Sequence, residues 1–310
     1  ETQHLGTGDG GHTVIDWSNA NQIFFKANWS KGLVCKSIDR GKSIANNIET
    51  IQNGLNFDDF LLTQHPQKAN LLYLAKDNVF EIIDHTLPDE QNPLLLYNFM
   101  YKDSIEIDKK RHKIQLFDAR AIAVATSNPN VIYLAAIVKY GKQWESINAL
   151  FGSKDGGKTW HFLSKSYYQI NTITIDPKNE QRLWIGFGGM DRVDDVGMEA
   201  NGEHRIAVSS NGGKMFSDEV SKSNGLPPFA VNTLIYERGS NDVLYAGTDA
   251  GVFRYNVATN TWVCFNHNLP VCIVSDLEID YCKRQLYAGT FGRGVWQTAL
   301  PALNHNTPEW

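Results

Sequence analysis

Polar side chains begin several apolar segments of this sequence, at positions where a core strand would ordinarily start with an apolar residue. Carboxylate, guanidinium and amide groups placed in this way could orient a polar ligand by hydrogen bonds. The alternative is that they line the hydrated mouth of a channel, where polar atoms keep their water at little cost. These candidate ligand-binding residues are Asp58, Asp59, Asp118, Arg120, Asn171, Asn232 and Asp276.

Three segments are longer than the surrounding pattern requires, and long loops on a rigid scaffold are where binding usually resides. The segment 97–117 carries a basic run, for which a solvated hairpin is the simplest interpretation. In 138–149, Tyr140 and Trp144 could stack on a sugar ring, although a Trp folded back onto its own sheet fits equally well. The segment 188–204 is acidic, but its spacing does not match a calcium-binding loop, so we predict no metal site.

Composition excludes several classes of function. The 310 residues include 29 Lys and Arg against 34 Asp and Glu, a net charge of −5, so no basic field predicts a nucleic-acid partner. No apolar run approaches the roughly 18 to 20 residues that cross a bilayer, so we predict no transmembrane segment. Phosphate-binding loops, nucleophile elbows and zinc-binding helices are missing from the sequence, and we therefore predict no cofactor.

A repeated unit organises the chain. Each unit has a short alternating strand, a polar turn and a second strand rich in aromatic and branched residues, as in 171–177 followed by 182–186. Six such units begin near residues 12, 58, 119, 170, 230 and 273, and the first and last look incomplete.

A second signature, Ser-x-Asp/Asn-x-Gly, recurs within three of these units and ends on an aromatic residue in two. Asp or Asn can accept backbone N–H groups in a tight hairpin, and Gly supplies the positive φ that the turn needs. We therefore predict a structural role for these residues, namely Ser37, Asp39, Gly41, Ser153, Asp155, Gly157, Trp160, Ser209, Asn211, Gly213 and Phe216.

Units of about four short antiparallel strands cannot bury both faces alone, so they must pack face to face around an axis. The predicted fold is all-β, a single β-propeller of four-stranded antiparallel blades, with six or seven blades and little helix. It spans residues 1–301, and residues 302–310 form a tail or linker.

The hairpin signature resembles the Asp-box, or bacterial neuraminidase repeat, of sialidases, xyloglucan-active glycoside hydrolases and sortilin-type receptors. Segments 244–254 and 287–296 are similar to the closing units of large exported Bacteroidetes propeller proteins. The resemblance to xyloglucan-active hydrolases implies a catalytic role for Asp249, although a turn residue fits that position as well. Hydrolysis needs a second carboxyl, for which the sequence offers Asp276, Asp118 or Asp191. A sialidase is disfavoured because no F-R-I-P-like start is present.

The four cysteines are interpreted as small buried hydrophobic residues, with a Cys264–Cys272 disulfide as the alternative if the protein is exported. From these features we expect a secreted or cell-surface module that binds polysaccharide or a protein partner. The alternatives are a glycoside hydrolase and the sensory propeller of a membrane regulator. Enzymatic activity is not the favoured prediction.

Overall fold

The computed structural model of the chain describes residues 12–26, 34–48, 60–100, 104–107, 109–141, 145–166, 168–188, 205–217, 224–256 and 258–302. The chain divides into two compact units, residues 1–166 (unit 1) and residues 167–310 (unit 2). Each unit is described by itself below. Trp144, Asp58, Asp59 and the acidic residues of 188–204 lie outside the described residues.

Unit 1 holds three antiparallel sheets. Sheet 1 is formed by β1 (Thr13–Ile15), β2 (Ile23–Lys26), β3 (Val34–Ser37) and β4 (Asn46–Ile48). Sheet 2 is formed by β5 (Leu61–Gln64), β6 (Leu71–Lys76), β7 (Val79–Asp84) and β8 (Leu95–Asn98), with a short 3-10 turn at Asp89–Gln91. Sheet 3 is formed by β9 (Ser104–Ile107), β10 (Lys110–Val124), β11 (Ile132–Tyr140), β12 (Glu145–Ser153) and β13 (His161–Ser166).

Unit 2 holds three further antiparallel sheets. Sheet 4 is formed by β14 (Ile170–Asp176), β15 (Asn179–Phe187) and β16 (Ile206–Ser209). Sheet 5 is formed by β17 (Val231–Tyr236), β18 (Leu244–Thr248), β19 (Gly251–Asn256) and β20 (Thr261–Cys264). Sheet 6 is formed by β21 (Val274–Asp280), β22 (Gln285–Thr290) and β23 (Gly294–Ala299).

This arrangement confirms the predicted fold class, an all-β β-propeller, and gives it six blades rather than seven. Within the described residues every ladder between named strands is antiparallel, and the only helical element is the 3-10 turn. Sheet 1 has four strands, so the expectation that the first repeat is incomplete is wrong, whereas the described residues give sheet 6 three strands. The longer segments 97–117 and 138–149 are largely strand, because β9 pairs with β10 and β11 pairs with β12 as extended hairpins.

Aromatic side chains fill the core of unit 1. Phe99 and Phe117 stack with their ring centroids 3.9 Å apart, and Phe151 meets both rings edge to face. Trp160 is 5% exposed and its indole N–H donates to the Gly157 carbonyl at 3.0 Å. Aromatic pairs of this kind are worth about 0.5 to 1.5 kcal/mol beyond the area they bury, so the hairpin that carries Trp160 is tied directly to the core.

In unit 2, neighbouring sheets pack against each other through a contact that occurs twice. A Cβ added to Gly186 would lie 2.6 Å from the Thr172 methyl group and 2.7 Å from Val231. The same atom on Gly247 would lie 2.6 Å from Thr233 Cγ2 and 2.8 Å from Val274. Glycine is therefore required at this position of the second strand, because the first residue of the next sheet's inner strand packs against it.

Candidate functional site

A β-bulge occurs near the start of the first strand in sheets 4 to 6, and a further bulge lies well inside β10 of sheet 3. The strand register slips by one residue between Ala119 and Ala121, between Ile170 and Thr172, between Val231 and Thr233, and between Val274 and Asp276. The extra residues are Arg120, Asn171, Asn232 and Ser275. Bulges re-aim a side chain and are over-represented near active sites, which gives three of the predicted polar residues, Arg120, Asn171 and Asn232, a common backbone origin.

In unit 2 the bulge residue Asn232 holds the predicted catalytic candidate. Asn232 Nδ2 donates to Asp249 Oδ1 at 2.9 Å and to the Val274 carbonyl at 3.2 Å. The Asp249 backbone N–H also donates to the Ala230 carbonyl at 3.3 Å. Asp249 therefore lies in a turn whose carboxylate is oriented by a neighbouring amide.

Exposed apolar side chains lie around the start of sheet 6, where the Val274 carbonyl accepts from Asn232. Phe291 occupies in sheet 6 the position that Asp249 occupies in sheet 5, and its N–H donates to the Ile273 carbonyl at 2.9 Å. Phe291 is 77% exposed, Val271 78% and Ile273 41%. We call Asn232, Asp249, Val271, Ile273 and Phe291 the strand-start surface of unit 2.

The other bulge residues have different partners. Asn171 Oδ1 accepts from Gln169 Nε2 at 3.1 Å, and its amide packs closely against the backbone of Gly188. The Ser275 hydroxyl donates to the Gly289 carbonyl at 3.2 Å. In unit 1, Arg120 forms an ion pair with Asp118, and both side chains are more than a third exposed. Exposed pairs contribute little to stability, so this pair stays accessible to a ligand without being needed by the fold.

Asp276 lies on the face of sheet 6 that points away from sheet 5, the sheet that carries Asp249. Leu277 and Ile279 on β21 pack with Tyr245 and Val252 of sheet 5, so the alternating residues Asp276 and Glu278 point to the opposite, exposed face. The sheet therefore separates Asp276 from Asp249. These two carboxyls are not brought together as the pair that hydrolysis at Asp249 would need.

Glu278 is a titratable group that the sequence prediction did not include. Its side chain is exposed at the surface, yet desolvation by the surrounding protein raises the pKa of Glu278 to about 7. Repulsion from the Asp276 carboxylate raises the pKa further, and Arg238 opposes the change. The alternation of acidic residues along 276–280 is a signal in the sequence that could have identified it.

The aromatic candidate in unit 1 is not presented to solvent. Tyr140 is 9% exposed, and its ring lies edge to face on His112 with the centroids 5.0 Å apart. The β9–β10 hairpin that carries His112 covers it, which the sequence could not indicate because the partner lies 28 positions away. The exposed residues Lys110, Arg111 and Lys113 keep that hairpin solvated.

The three Ser-x-Asp/Asn-x-Gly hairpins share one hydrogen-bond pattern. In the second copy the Ser153 hydroxyl donates to Asp155 Oδ1 at 2.8 Å and accepts from the Gly157 N–H, and Asp155 accepts from the Thr159 backbone and hydroxyl. Burial of the Asp155 carboxylate acts to raise its pKa, but the bonds from Thr159 and Ser153 outweigh it and the pKa is lowered. The corresponding bonds in the other copies join Ser37, Asp39, Gly41 and Ser43, and Ser209, Asn211, Gly213 and Met215.

All four cysteines are free thiols, and Cys264 and Cys282 are exposed. The interpretation of all four as buried residues is therefore wrong except for Cys35, because Cys264 ends an outer strand and Cys282 lies in a turn. Within the described ranges no group of three His, Cys, Asp or Glu side chains could hold a metal ion. The same ranges contain no helix long and apolar enough to span a membrane.

No protein-family model and no curated protein matches this chain. Among solved structures, an ancestral GH74 enzyme matches with a TM-score of 0.55 and 16% identity over 94% of this chain and 38% of its own. The GH74 enzyme of Niastella koreensis matches with a TM-score of 0.52 and 13% identity over 77% of this chain and 35% of its own. The β-propeller domain of Swd1 from Myceliophteria thermophila matches with a TM-score of 0.51 and 9% identity over 94% of this chain and 97% of its own.

The chain thus spans little more than a third of the two GH74 enzymes. Sequence identities this low show that the fold is shared and do not show a shared function. The shared fold is the β-propeller.

Proposed function

We propose that this chain is a binding module that uses the strand-start surface of unit 2 to hold a partner protein. The observation that carries the proposal is the exposure of Phe291, Val271 and Ile273 around the start of sheet 6, to which Asn232 of the Asn232–Asp249 pair donates. Apolar side chains grouped around a few oriented polar groups are typical of interaction sites. A folded chain gains nothing from leaving them in water.

A protein fits this surface better than a polysaccharide does. Sugar rings are held by aromatic faces together with several polar groups, whereas the strand-start surface has one aromatic ring, Phe291, among aliphatic side chains, with the partly exposed Phe229 next to Ala230. Tyr140, which was a candidate for stacking, is buried against His112. Polysaccharide remains the other ligand class that the sequence predicts, and the test below separates the two.

We further propose that the chain is an exported or cell-surface propeller of the Asp-box type. Support comes from the three hairpins, in which the Ser, Asp or Asn and Gly residues perform the same bonding roles in each copy. The fold shared with two GH74 enzymes is consistent with such an origin. Export is tested by locating the protein in fractionated cells of its source, where a cytoplasmic pool alone would contradict it.

Glycoside hydrolysis is a second candidate, favoured by one observation. Asp276 and Glu278 lie on one face of β21, two residues apart, and Glu278 has a pKa raised to about 7. A protonated carboxyl beside an ionised one is the division of roles that an acid-catalysed glycosidase uses. In this alternative Glu278 is the acid and Asp276 its partner, and Asp249 has no part in the chemistry.

The test compares wild type with Phe291→Ser, Asp249→Asn and Glu278→Gln, and uses Trp17→Ser as an exposed-aromatic control in unit 1. Each protein is used to capture surface proteins, probed on a glycan array and assayed for hydrolysis of xyloglucan and other polysaccharides. We expect one captured protein that Phe291→Ser releases and Trp17→Ser retains, with no turnover.

If no protein is captured and the chain binds glycans in a way that Phe291→Ser abolishes, the ligand of this surface is a polysaccharide and not a protein. Turnover that Glu278→Gln abolishes and Asp249→Asn does not would establish the hydrolase. Turnover abolished by Asp249→Asn would restore the catalytic role that the resemblance implied.

A further inference from the structure

The hairpin formed by β9 and β10 in unit 1 carries a dense group of positive charges. Lys109, Lys110, Arg111 and Lys113 place four cations within five residues, in a chain whose net charge is −5. All four side chains are exposed. We call these four residues the basic tip.

The hairpin that carries the basic tip is anchored in the core of unit 1. Ile105 and Ile114 are fully buried and Ile107 is 8% exposed, and all three belong to the large apolar cluster of this unit. His112 lies edge to face on Tyr140, with the ring centroids 5.0 Å apart. The charges are therefore presented by an ordered two-stranded base.

The strand register directs two of the charges away from that core. Arg111 and Lys113 lie opposite Glu106 and Ser104 of β9, on the face that alternates with the buried Ile105. Residues two positions apart on a strand are separated by about 6.8 Å, so Arg111 and Lys113 form a short row of charge. The other two residues of the basic tip extend this row at the turn end of the hairpin.

The fold itself does not use these charges. Within the part of the chain that the structure describes, no side chain of the basic tip forms an ion pair or a hydrogen bond, and Arg111 does not pair with Glu106 opposite it. Neighbouring like charges repel each other and thus oppose folding. Solubility would be served equally well by charges of both signs. A group of one sign on an anchored hairpin therefore indicates a ligand of the opposite sign.

We infer that the basic tip binds an acidic polysaccharide, in which sulfate or carboxylate groups recur along the sugar chain. Clusters of Lys and Arg bind such polyanions, and the Arg111 guanidinium can hold one carboxylate with two parallel N–H bonds. The long cationic side chains follow the hydrated anionic chain without needing a matched apolar surface.

Other anionic partners fit the hairpin less well. Its described residues include no exposed aromatic ring on which nucleic-acid bases would stack, and no exposed apolar side chain that would enter a membrane. An acidic protein would bury apolar side chains at the centre of its interface, and the described isoleucines of the hairpin are already buried in the core. A polysaccharide requires neither.

The basic tip lies in unit 1 and shares no residue with the strand-start surface of unit 2. The inference therefore does not depend on the function proposed for that surface. Phe291→Ser separates the two, because it removes a side chain of the strand-start surface and leaves the basic tip intact.

The probe is a fluorescently labelled heparin oligosaccharide, and its binding to the full chain is measured by anisotropy between about 50 and 200 mM salt. The first variant of the hairpin removes three charges, as Lys110→Gln, Arg111→Gln and Lys113→Gln together. The second variant, Arg111→Glu, changes a single exposed side chain and so keeps the test independent of any effect of three changes on folding.

The matched control removes three other exposed lysines of unit 1 and reaches the same net charge, as Lys154→Gln, Lys158→Gln and Lys165→Gln together. We expect wild type, this control and Phe291→Ser to bind heparin within about twofold of one another. An unsulfated dextran should not bind.

The triple hairpin variant should bind about tenfold or more weakly than wild type, and Arg111→Glu about threefold or more weakly. The dependence of affinity on salt should also become shallower for the triple variant, because fewer counterions are released on binding. Equal melting temperatures of the two triple variants show that the lost affinity comes from the hairpin charges and not from unfolding.

Several results would overturn the inference. They are no binding of heparin by wild type, equal binding by wild type and both hairpin variants, and equal losses in the hairpin and control triple variants, which would make total charge responsible. Tighter binding of single-stranded DNA or polyglutamate than of heparin would assign the basic tip to another class of polyanion. Binding that appears only after Asp191, Asp194 and Asp195 are changed to Asn would make the chain's own acidic segment the occupant.

Discussion

At the scale of single residues, the hairpin carboxylates stabilise their turns by accepting hydrogen bonds from the backbone of the same turn. Asp155 joins both strands of its hairpin through Ser153 and Thr159, and Trp160 anchors that hairpin in the aromatic core. Asn211 makes the equivalent bonds to Ser209 and Met215 without a charge. The charge is therefore less important here than the position of one acceptor oxygen.

Replacement of Asp155 tests this directly. Asp155→Ala should lower the free energy of unfolding by about 1 to 2 kcal/mol through the lost turn bonds. Asp155→Asn should keep most of that stability, because Asn211 fills the same position in another copy. Urea unfolding measures both variants, and equal losses for Ala and Asn would show that the charge itself is what matters.

The same site gives a dependence on pH. The pKa of Asp155 in the folded chain is below its ordinary value of 3.8, so its contribution is present above about pH 4 and is lost as the pH falls through the folded value. The difference in stability between wild type and Asp155→Asn should therefore shrink below pH 4. A difference that grew in acid would contradict the linkage.

At the scale of elements, the contact between neighbouring sheets in unit 2 depends on a glycine. Gly247→Ala should lower stability by about 1 to 3 kcal/mol, because the new methyl group overlaps Thr233 and Val274. Gly289 occupies the same position in sheet 6, where the nearest atom would lie 3.7 Å away. Gly289→Ala is thus the matched control and should be neutral, and thermal unfolding that ranked the two alike would refute the steric account.

The strands and bulges also show how much of the fold could be predicted from the sequence. The repeated alternation and the Val231-Asn-Thr-Leu pattern were sufficient to predict an all-β propeller, because each sheet buries its apolar faces in the same way. The bulges were not predictable as such, yet they explain three of the predicted polar residues, Arg120, Asn171 and Asn232. Comparing Val231-Asn232 with Val274-Ser275 would have selected Ser275 rather than Asp276 as the equivalent of Asn232.

What the sequence could not show was exposure. Val252 and Val295 each follow a glycine in the same strand register, yet among the described residues Val252 is 3% exposed and Val295 is 74% exposed. Tyr140 likewise became buried through a hairpin whose packing no local pattern records. Periodicity identifies which side of a strand is apolar and should be buried. Which segment of the chain buries it depends on tertiary packing.

At the scale of the whole molecule, four cysteines without a disulfide offer a probe of the fold. Cys264 and Cys282 are exposed, Cys272 is partly exposed and Cys35 is fully buried. In the native chain a thiol reagent should modify Cys264 and Cys282 rapidly and Cys35 only after unfolding, as peptide mass spectrometry can follow. Reduction should leave the melting temperature unchanged, and a lowered melting temperature would instead reveal a disulfide.

The glycine contacts of unit 2 also bear on how such a chain can grow. Each of sheets 4 and 5 offers a notch, at Gly186 or Gly247, and the next sheet supplies a valine, Val231 or Val274, that fits it. Sheet 5 carries both the valine and the glycine notch, and its two joints have nearly the same dimensions. A duplicated copy of sheet 5 would therefore meet a compatible neighbour on both sides, so gene duplication of this repeat could lengthen the series without any compensating substitution at the new joints.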